Sequence, residues 1–364
     1  MGNSANYPKP EEDIFKYGSD FKVKPGFTSY EVGNEVDLDV SFNVTREKLP
    51  EIRVDIHLVG FQDVYWNTNT RTENKKDDSL SRSMFNFDNL KHVDQLYSVD
   101  QYSEKMEKGN HEYKYHFLLP DGLPGSFLYQ TTSGSNCSVV YYAYVELHSI
   151  NTENEVLVGR CVTPIYVKQK QKSVSISKSP TVESKLVYTW CAEAKQFSMD
   201  ADIESNQLKL DEPFKINMEA HSEDADMSKG KFVVTLKRKV TMRMNESEYM
   251  KELFDTICKR EISMELEGGS NVKCHTTINF TKYIDKKIPK GIQVDCLRRY
   301  PTYIQQTVDS KLIDVEYFIE VSVKFLPFIS KMSPEPKFSF PVVVYPVDQY
   351  EMQKERCSDR SSRV

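Results

Sequence analysis

His111-Glu112 followed by His116 is the nearest approach in this 364-residue chain to a reactive constellation, because two histidines and a glutamate are what a zinc protease uses to hold its metal and activate water. The spacing defeats it. The protease motif sets its histidines at i and i+4 on one helical face, whereas these stand at i and i+5, and on a strand an odd separation turns the two imidazoles to opposite sides. Cys258, Cys274-His275 and Cys296 offer further metal-type ligands. Adjacent strand residues diverge, however, and the gaps fit no compact zinc module, so buried free thiols are expected. Asp224-x-Asp226-x-Ser228 begins like a calcium loop, but its glycine, Gly230, comes one place late and Thr235 stands where the final glutamate belongs. The serine-nucleophile elbow, the dinucleotide glycine signature and the phosphate-loop lysine are all missing from the sequence. No catalytic residue, metal site or cofactor is expected, and the chain reads as a non-enzyme.

Charge and cysteine usage narrow the partners. Lys+Arg 48 against Asp+Glu 54 gives a net charge of -6, with both signs scattered rather than blocked, which excludes a basic nucleic-acid footprint. Aromatic residues at 12% and hydrophobic residues at 39% are too many for a disordered chain. The densest apolar run, Val139 to Val145, falls far short of the ~18 residues needed to span a membrane. The first residues, Met1-Gly2-Asn3-Ser4-Ala5-Asn6, lack the basic and apolar regions of a signal peptide. Seven cysteines without a C-x-x-C do not suggest a disulfide scaffold. A cytoplasmic location is expected.

Several features are candidates for binding. Lys22 and Lys24 stand at i and i+2 and share one face of a strand, with Phe21 and Val23 on the other. Lys168, Lys170 and Lys172 have the same spacing and read either as a small patch for phosphate or acidic lipid or as a solvated linker. Gly2, followed by small polar residues, approaches the myristoylation pattern, although Asn6 replaces its Ser or Thr. One acyl chain gives only marginal membrane binding of about 10⁴ M⁻¹, enough for peripheral association with the plasma membrane or endosomes when a second contact exists. An unmodified terminus is the plain alternative. Ser362-Arg363-Val364 reads as a carboxylate ligand for a PDZ-type groove or as an inert end.

The elements that must position these residues are strands. Val36, Leu38, Val40, Phe42 and Val44 alternate with Asp37, Asp39, Ser41 and Asn43, the period of a half-buried antiparallel strand. The same period returns at Ile52, Val54, Ile56 and Leu58, at Tyr113, Tyr115 and Phe117, and from Val139 to Leu147. Only Glu246 to Arg260 fits a short amphipathic helix as well as an edge strand.

The pattern also repeats. Val32 to Val40 has a counterpart in Leu210 to Met218, and Val54, Ile56 and Leu58 fall on Phe232, Val234 and Leu236, all displaced by 178 positions. The Val139 to Leu147 alternation matches Val315 to Val323 at 176, and Pro164-Ile165-Tyr166-Val167 matches Pro341-Val342-Val343-Val344 at 177. Four blocks in order at one offset imply two tandem β-sandwiches. The expected divisions are a flexible N-terminus over 1–19, sandwiches over 20–170 and 183–347, a polar linker over 171–182 and a disordered tail over 348–364.

The stretch Gly109-Asn110-His111-Glu112-Tyr113-Lys114-Tyr115-His116-Phe117-Leu118-Leu119-Pro120-Asp121-Gly122-Leu123-Pro124-Gly125-Ser126-Phe127, followed by the Val139 to Leu147 strand, resembles the N-terminal domain of arrestins, closest to the α-arrestin (arrestin domain-containing) branch. Its Asp121-Gly122 and Pro124-Gly125 pairs make turns at a strand-to-strand corner. Tyr30 to Val36, Val59-Gly60-Phe61 to Trp66 and Leu312 to Tyr317 fit in order, so the resemblance covers about residues 20 to 347. It implies an all-β chain of two tandem antiparallel, immunoglobulin-like sandwiches of arrestin type. It also implies a non-enzymatic adaptor that binds cytoplasmic tails of membrane proteins and links them to endocytic and ubiquitin-dependent trafficking machinery. In arrestins that bind phosphorylated tails, lysines of the first strand meet the phosphates, which makes Lys22 and Lys24 the candidates by resemblance. Many α-arrestins recruit ubiquitin ligases through P-P-x-Y motifs, but this chain has no Pro-Pro pair, so recruitment by that route is not expected. A retromer-like cargo subunit or a structural coat component is the alternative on the same fold.

Overall fold

The computed structural model describes residues 13–27, 29–45, 48–69, 83–102, 104–131, 135–150, 155–171, 182–186, 195–210, 212–222, 230–244, 250–263, 271–280, 304–324 and 336–345. The first part of the chain forms β1 (Ile14–Phe15), β2 (Gly18–Pro25), β3 (Tyr30–Glu31), β4 (Glu35–Val44), β5 (Ile52–Asn69), β6 (Ser83–Tyr102), β7 (Gly109–Leu118), β8 (Phe127–Gln130), β9 (Asn136–Ile150), β10 (Glu155–Ile165) and β11 (Val167–Lys168). The second forms β12 (Val182–Leu186), β13 (Lys195–Ile203), β14 (Gln207–Lys209), β15 (Phe214–Ser222), β16 (Lys231–Arg243), β17 (Met250–Ser263), β18 (Asn271–Ile278), β19 (Val308–Asp309), β20 (Ile313–Lys324) and β21 (Lys337–Tyr345). No helix occurs among the described residues.

Alternation decides which face each strand buries. Val36, Leu38, Val40, Phe42 and Val44 of β4 are all buried while the polar residues between them are not, so β4 presents one dry face. It forms the sheet β2-β4-β7, which closes over the larger sheet β1-β10-β9-β5-β6, where β8 also pairs with β9. Phe15 of β1 packs against Phe42 of β4 at 5.5 Å between ring centroids, joining the two sheets. The second sandwich sets β12-β13-β15-β18 against β14-β21-β20-β16-β17, with β19 on β20.

The repeat extends to register. Val54 of β5 lies opposite Leu147 of β9 and Ile56 opposite Val145. Their counterparts Phe232 and Val234 of β16 lie opposite Val323 and Val321 of β20. Each sandwich also has one short parallel pairing at its close: Tyr30 beside Val167 in the first, Leu208 beside Val344 in the second. The ambiguous stretch resolves as a strand where it is described. β17 pairs with β16 from Ser263 to Met250, interrupted only by a bulge at Ile257. Its outward alternation leaves Met250 and Phe254 61% and 66% exposed, a pattern of period two with no continuous helical face to bury.

The two sandwiches meet at the corner that follows β7. Gln306 is fully buried; its amide Nε2 donates to the carbonyls of Ser126 (3.1 Å) and Val167 (2.9 Å), and its Oε1 accepts from the Gln169 amide (2.9 Å). Gly125 is required here because a Cβ at that position would sit 2.5 Å from the Gln306 carboxamide. Gln305 grips the backbone of Leu128 through both ends of its own amide, at 2.9 and 2.6 Å. In the other direction Gln62 accepts from the Leu312 amide at 3.2 Å. Gln169 and Gln171 donate to the carbonyls of Asp309 and Thr307, so the end of the first sandwich and the first residue of the expected linker bond directly to the second sandwich. Arg238 of β16 is 3% exposed, pairs with Asp255 at 2.7 Å and lies 4.8 Å from the centroid of the Tyr129 ring.

Replacing Gln306 by Ala strands the Ser126 carbonyl and the Gln169 amide and leaves the Val167 carbonyl only its bond from the Ser126 amide, at about 1–3 kcal/mol for each buried group left without a partner. The expected result is a lower midpoint and separate unfolding transitions for the two sandwiches by calorimetry. A second prediction concerns His92, the extra residue of a bulge in β6 opposite Gly60, whose Nε2 meets the Tyr141 hydroxyl at 2.9 Å while that hydroxyl donates to the Pro124 carbonyl. Burial lowers the His92 pKa to about 4. The folded state therefore binds fewer protons than the unfolded chain at pH values below the ordinary imidazole pKa near 6.5, and stability must fall as pH drops from about 6.5 to about 4. The loss is about 3 kcal/mol at most. His92→Gln is expected to flatten that slope in denaturant melts across the same range.

Candidate functional site

Phe21 and Val23 of β2 are buried while Lys22 and Lys24 point outward, so the two lysines share the outer face of the β2-β4-β7 sheet. β2 is the terminal strand of that sheet: it pairs with β4, and no other strand pairs with it among the described residues.

Three cross-strand rows surround the lysines. Lys24 lies opposite Asp39, which lies opposite Lys114; Lys22 opposite Ser41 and Glu112; Ser19 opposite Asn43 and Asn110. Asp37 receives His116 Nδ1 at 2.6 Å at the upper end. Lys22, Lys24 and Lys114 thus face Asp20, Asp37, Asp39 and Glu112 on one surface, so the sheet has no general positive field and any anion must be recognised locally. A cleft of about 190 Å³ opens beside Lys22, lined by Asp20, Ser41, Asn43, Asn110 and Glu112, with Phe42 and the imidazole of His111. His111 stacks on Phe42 at 5.4 Å and its Nε2 meets the Glu107 carbonyl at 2.9 Å.

The geometry of β2 beside this cleft is irregular for a visible reason. Its ladder with β4 slips between Ser19 and Lys22, leaving Asp20 and Phe21 unpaired. Asp20 has φ 61, the one non-glycine left-handed backbone among the described residues, a conformation that aspartate tolerates better than most side chains. Phe21 keeps its place in the core, edge-on to Phe42 at 5.8 Å, and Ser19 and the Asp20 carboxylate both lie outside. There the carboxylate Oδ1 lies 3.2 Å from Lys22 Nζ, and the Ser19 hydroxyl donates to Oδ2. The Lys22 ammonium, helped by Ser19, holds the Asp20 carboxyl below its usual range. Lys24 has no such partner among the described residues.

The other candidates are not gathered here. Lys168 belongs to β11, which pairs with β3, and Lys170 follows it exposed. Lys172, Gly2, Ser362 and Val364 lie outside the described residues, as do Cys296 and residues 224–228. His111 and His116 face opposite sides of β7 as their spacing requires. Cys258 is buried, Cys274 is partly buried, and the adjacent His275 is exposed with Nδ1 on Asn217. No group of three or more metal-ligating side chains occurs among the described residues.

A second concentration of charge, Arg53, Asp55, Glu146, His148, Glu155 and Arg160, covers the outer face of β5, β9 and β10. Asp55 and Glu146 are held by Arg53 and Arg160 at 2.7 Å, a paired network that closes on itself. Asp20 is the residue that inspection of the sequence passed over. Its position two before Lys22 was the available signal, since i and i+2 share a strand face.

Two family models match the chain. The one described as "Arrestin (or S-antigen), N-terminal domain" matches residues 20–177, and the one described as "Arrestin (or S-antigen), C-terminal domain" matches residues 193–349. A comparison with curated proteins returns no match. The first match spans the sandwich that carries β2 and the second spans the sandwich held to it by Gln305 and Gln306; the chain belongs to the arrestin family.

Proposed function

We propose that this chain is a non-catalytic adaptor of the α-arrestin type, which binds extended cytoplasmic segments of membrane proteins and connects them to endocytic or ubiquitin-dependent trafficking machinery. Members of the family are generally non-enzymatic adaptors that bind receptor tails and trafficking proteins. The observation that carries the reading onto this chain is β2, a terminal strand whose outward face bears Lys22 and Lys24. An extended tail laid along a terminal strand gains main-chain hydrogen bonds, and phosphates at alternate positions reach lysines at i and i+2 through charge-assisted contacts. The work is done by binding and release, with no bond made or broken. The proposed setting is the cytoplasm, with peripheral visits to the plasma membrane or endosomes through the cargo itself.

Affinity capture of the full-length chain from cytosol combined with detergent-solubilised membranes, read by mass spectrometry, tests this. The expected result is recovery of integral membrane proteins together with sorting or ubiquitin components. The Lys22→Glu/Lys24→Glu variant is expected to lower membrane-protein recovery about tenfold or more, since a hydrogen bond to a charged group contributes roughly 1.5–3 kcal/mol. A single stoichiometric assembly with a helical-solenoid partner and no membrane protein would instead identify a retromer-like subunit.

A further inference from the structure

Lys22 already has an anion. The Asp20 carboxylate reaches it at 3.2 Å, and both side chains are about three-fifths exposed, at 62% and 60%, so the pair is open to exchange with solvent and ligand. It is also built in. The alternation of β2 turns Phe21 into the core and leaves the Asp20 carboxylate on the lysine's side of the strand, and the slipped ladder with its left-handed Asp20 brings Ser19 to that side as well, its hydroxyl on the other carboxylate oxygen. The cleft beside the pair offers Ser41, Asn43 and Asn110 as further hydrogen-bonding groups.

Resting on the reading of β2 as the tail-binding strand, we infer that Asp20 is an internal competitor for the anion position on Lys22, so that this position rewards a phosphorylated tail and ignores a merely acidic one. A glutamate arriving at Lys22 exchanges one carboxylate for another and gains nothing there. A phosphoserine or phosphothreonine brings close to two negative charges and three acceptor oxygens, enough to replace the carboxylate on Lys22 and also to accept from Ser41 or the two asparagines. Asp20 then swings to solvent. Lys24 stands opposite Asp39 but forms no ion pair among the described residues, so it lacks this filter and contributes to both kinds of tail. A peptide, and not a lipid headgroup, is the assigned ligand because the position belongs to a terminal strand, where an extended backbone can pair.

The test is fluorescence anisotropy with a phosphoserine-x-phosphoserine peptide and its glutamate counterpart, at low and at physiological ionic strength, on the full chain and its Asp20→Asn, Lys22→Ala and double variants. Asn keeps the tolerance for the left-handed backbone, and Asp20→Gly serves as a second variant that does so without a side chain. The expected result has three parts. Lys22→Ala weakens the phosphopeptide and leaves the glutamate peptide unchanged. Asp20→Asn strengthens both by about two- to fivefold, the range of an exposed ion pair. That gain disappears when Lys22 is already Ala. If Lys22→Ala weakens the phosphopeptide but neither Asp20 variant strengthens it, the competitor is overturned while the β2 reading stands. If Lys22→Ala has no effect on either peptide, the β2 reading itself falls. Phosphoinositide vesicles that bind with Lys22 dependence while the peptide does not would overturn the peptide assignment.

Discussion

A buried carboxamide lies at the centre of the contacts that hold the two halves of this molecule together. Gln306 has no solvent exposure and engages Ser126, Val167 and Gln169 at once. A buried amide is costly unless both its ends are satisfied. The second sandwich can therefore dock only where the first presents two carbonyls and an amide at the right spacing. The corner after β7 supplies them. Its Gly125 leaves room for the carboxamide, and its Ser126 hydroxyl accepts from the Val167 amide at 2.9 Å, which sets the strand end whose carbonyl Gln306 then takes. A motif that reads in sequence as a string of turns is thus the seat of the domain junction, and Arg238 over Tyr129 extends the same junction to β8 and β16.

The β2 face works by a different balance. Burial forces the junction groups to pair, whereas the lysines of β2 are exposed and pair only as strongly as water allows. Such a surface is suited to exchange. Three lysines set among four carboxylates attract no anion from a distance, so recognition depends on short contacts made one strand position at a time. The slipped ladder at Asp20 and Phe21 lets Ser19 and Asp20 share the outer side of β2 while Phe21 still fills the core.

Much of the architecture was legible in the sequence because alternation is a one-dimensional record of which face is buried. The offset between Val54 and Phe232 and that between Leu147 and Val323 were both readable, and in the structure these four residues form the equivalent pairs of β5 with β9 and β16 with β20. Lys22 and Lys24 were placed on one face by the same logic. What stayed hidden depends on residues brought together from far apart. Gln305 and Leu128 are 177 positions distant, and no local period announces that a glutamine will bond another domain's backbone. Gln169 and Gln171 were concealed differently, since a polar, lysine-rich stretch has the composition of a linker whether or not its glutamines bridge anything. β17 was ambiguous because a free edge is polar on one side and carries scattered apolar residues, as a short amphipathic helix does.

The parallel pairings of β3 with β11 and of β14 with β21 have a consequence for how such a molecule can arise. In each sandwich the third strand, at Tyr30 or Leu208, lies directly beside the last, at Val167 or Val344. Each unit is thus clamped between its third strand and its last, and no sheet takes strands from both units, so a tandem copy carries its own closing pair. Duplication then leaves the junction to be added: the glutamine bonds and the Arg238 contact with Tyr129 that stop two copies from turning independently.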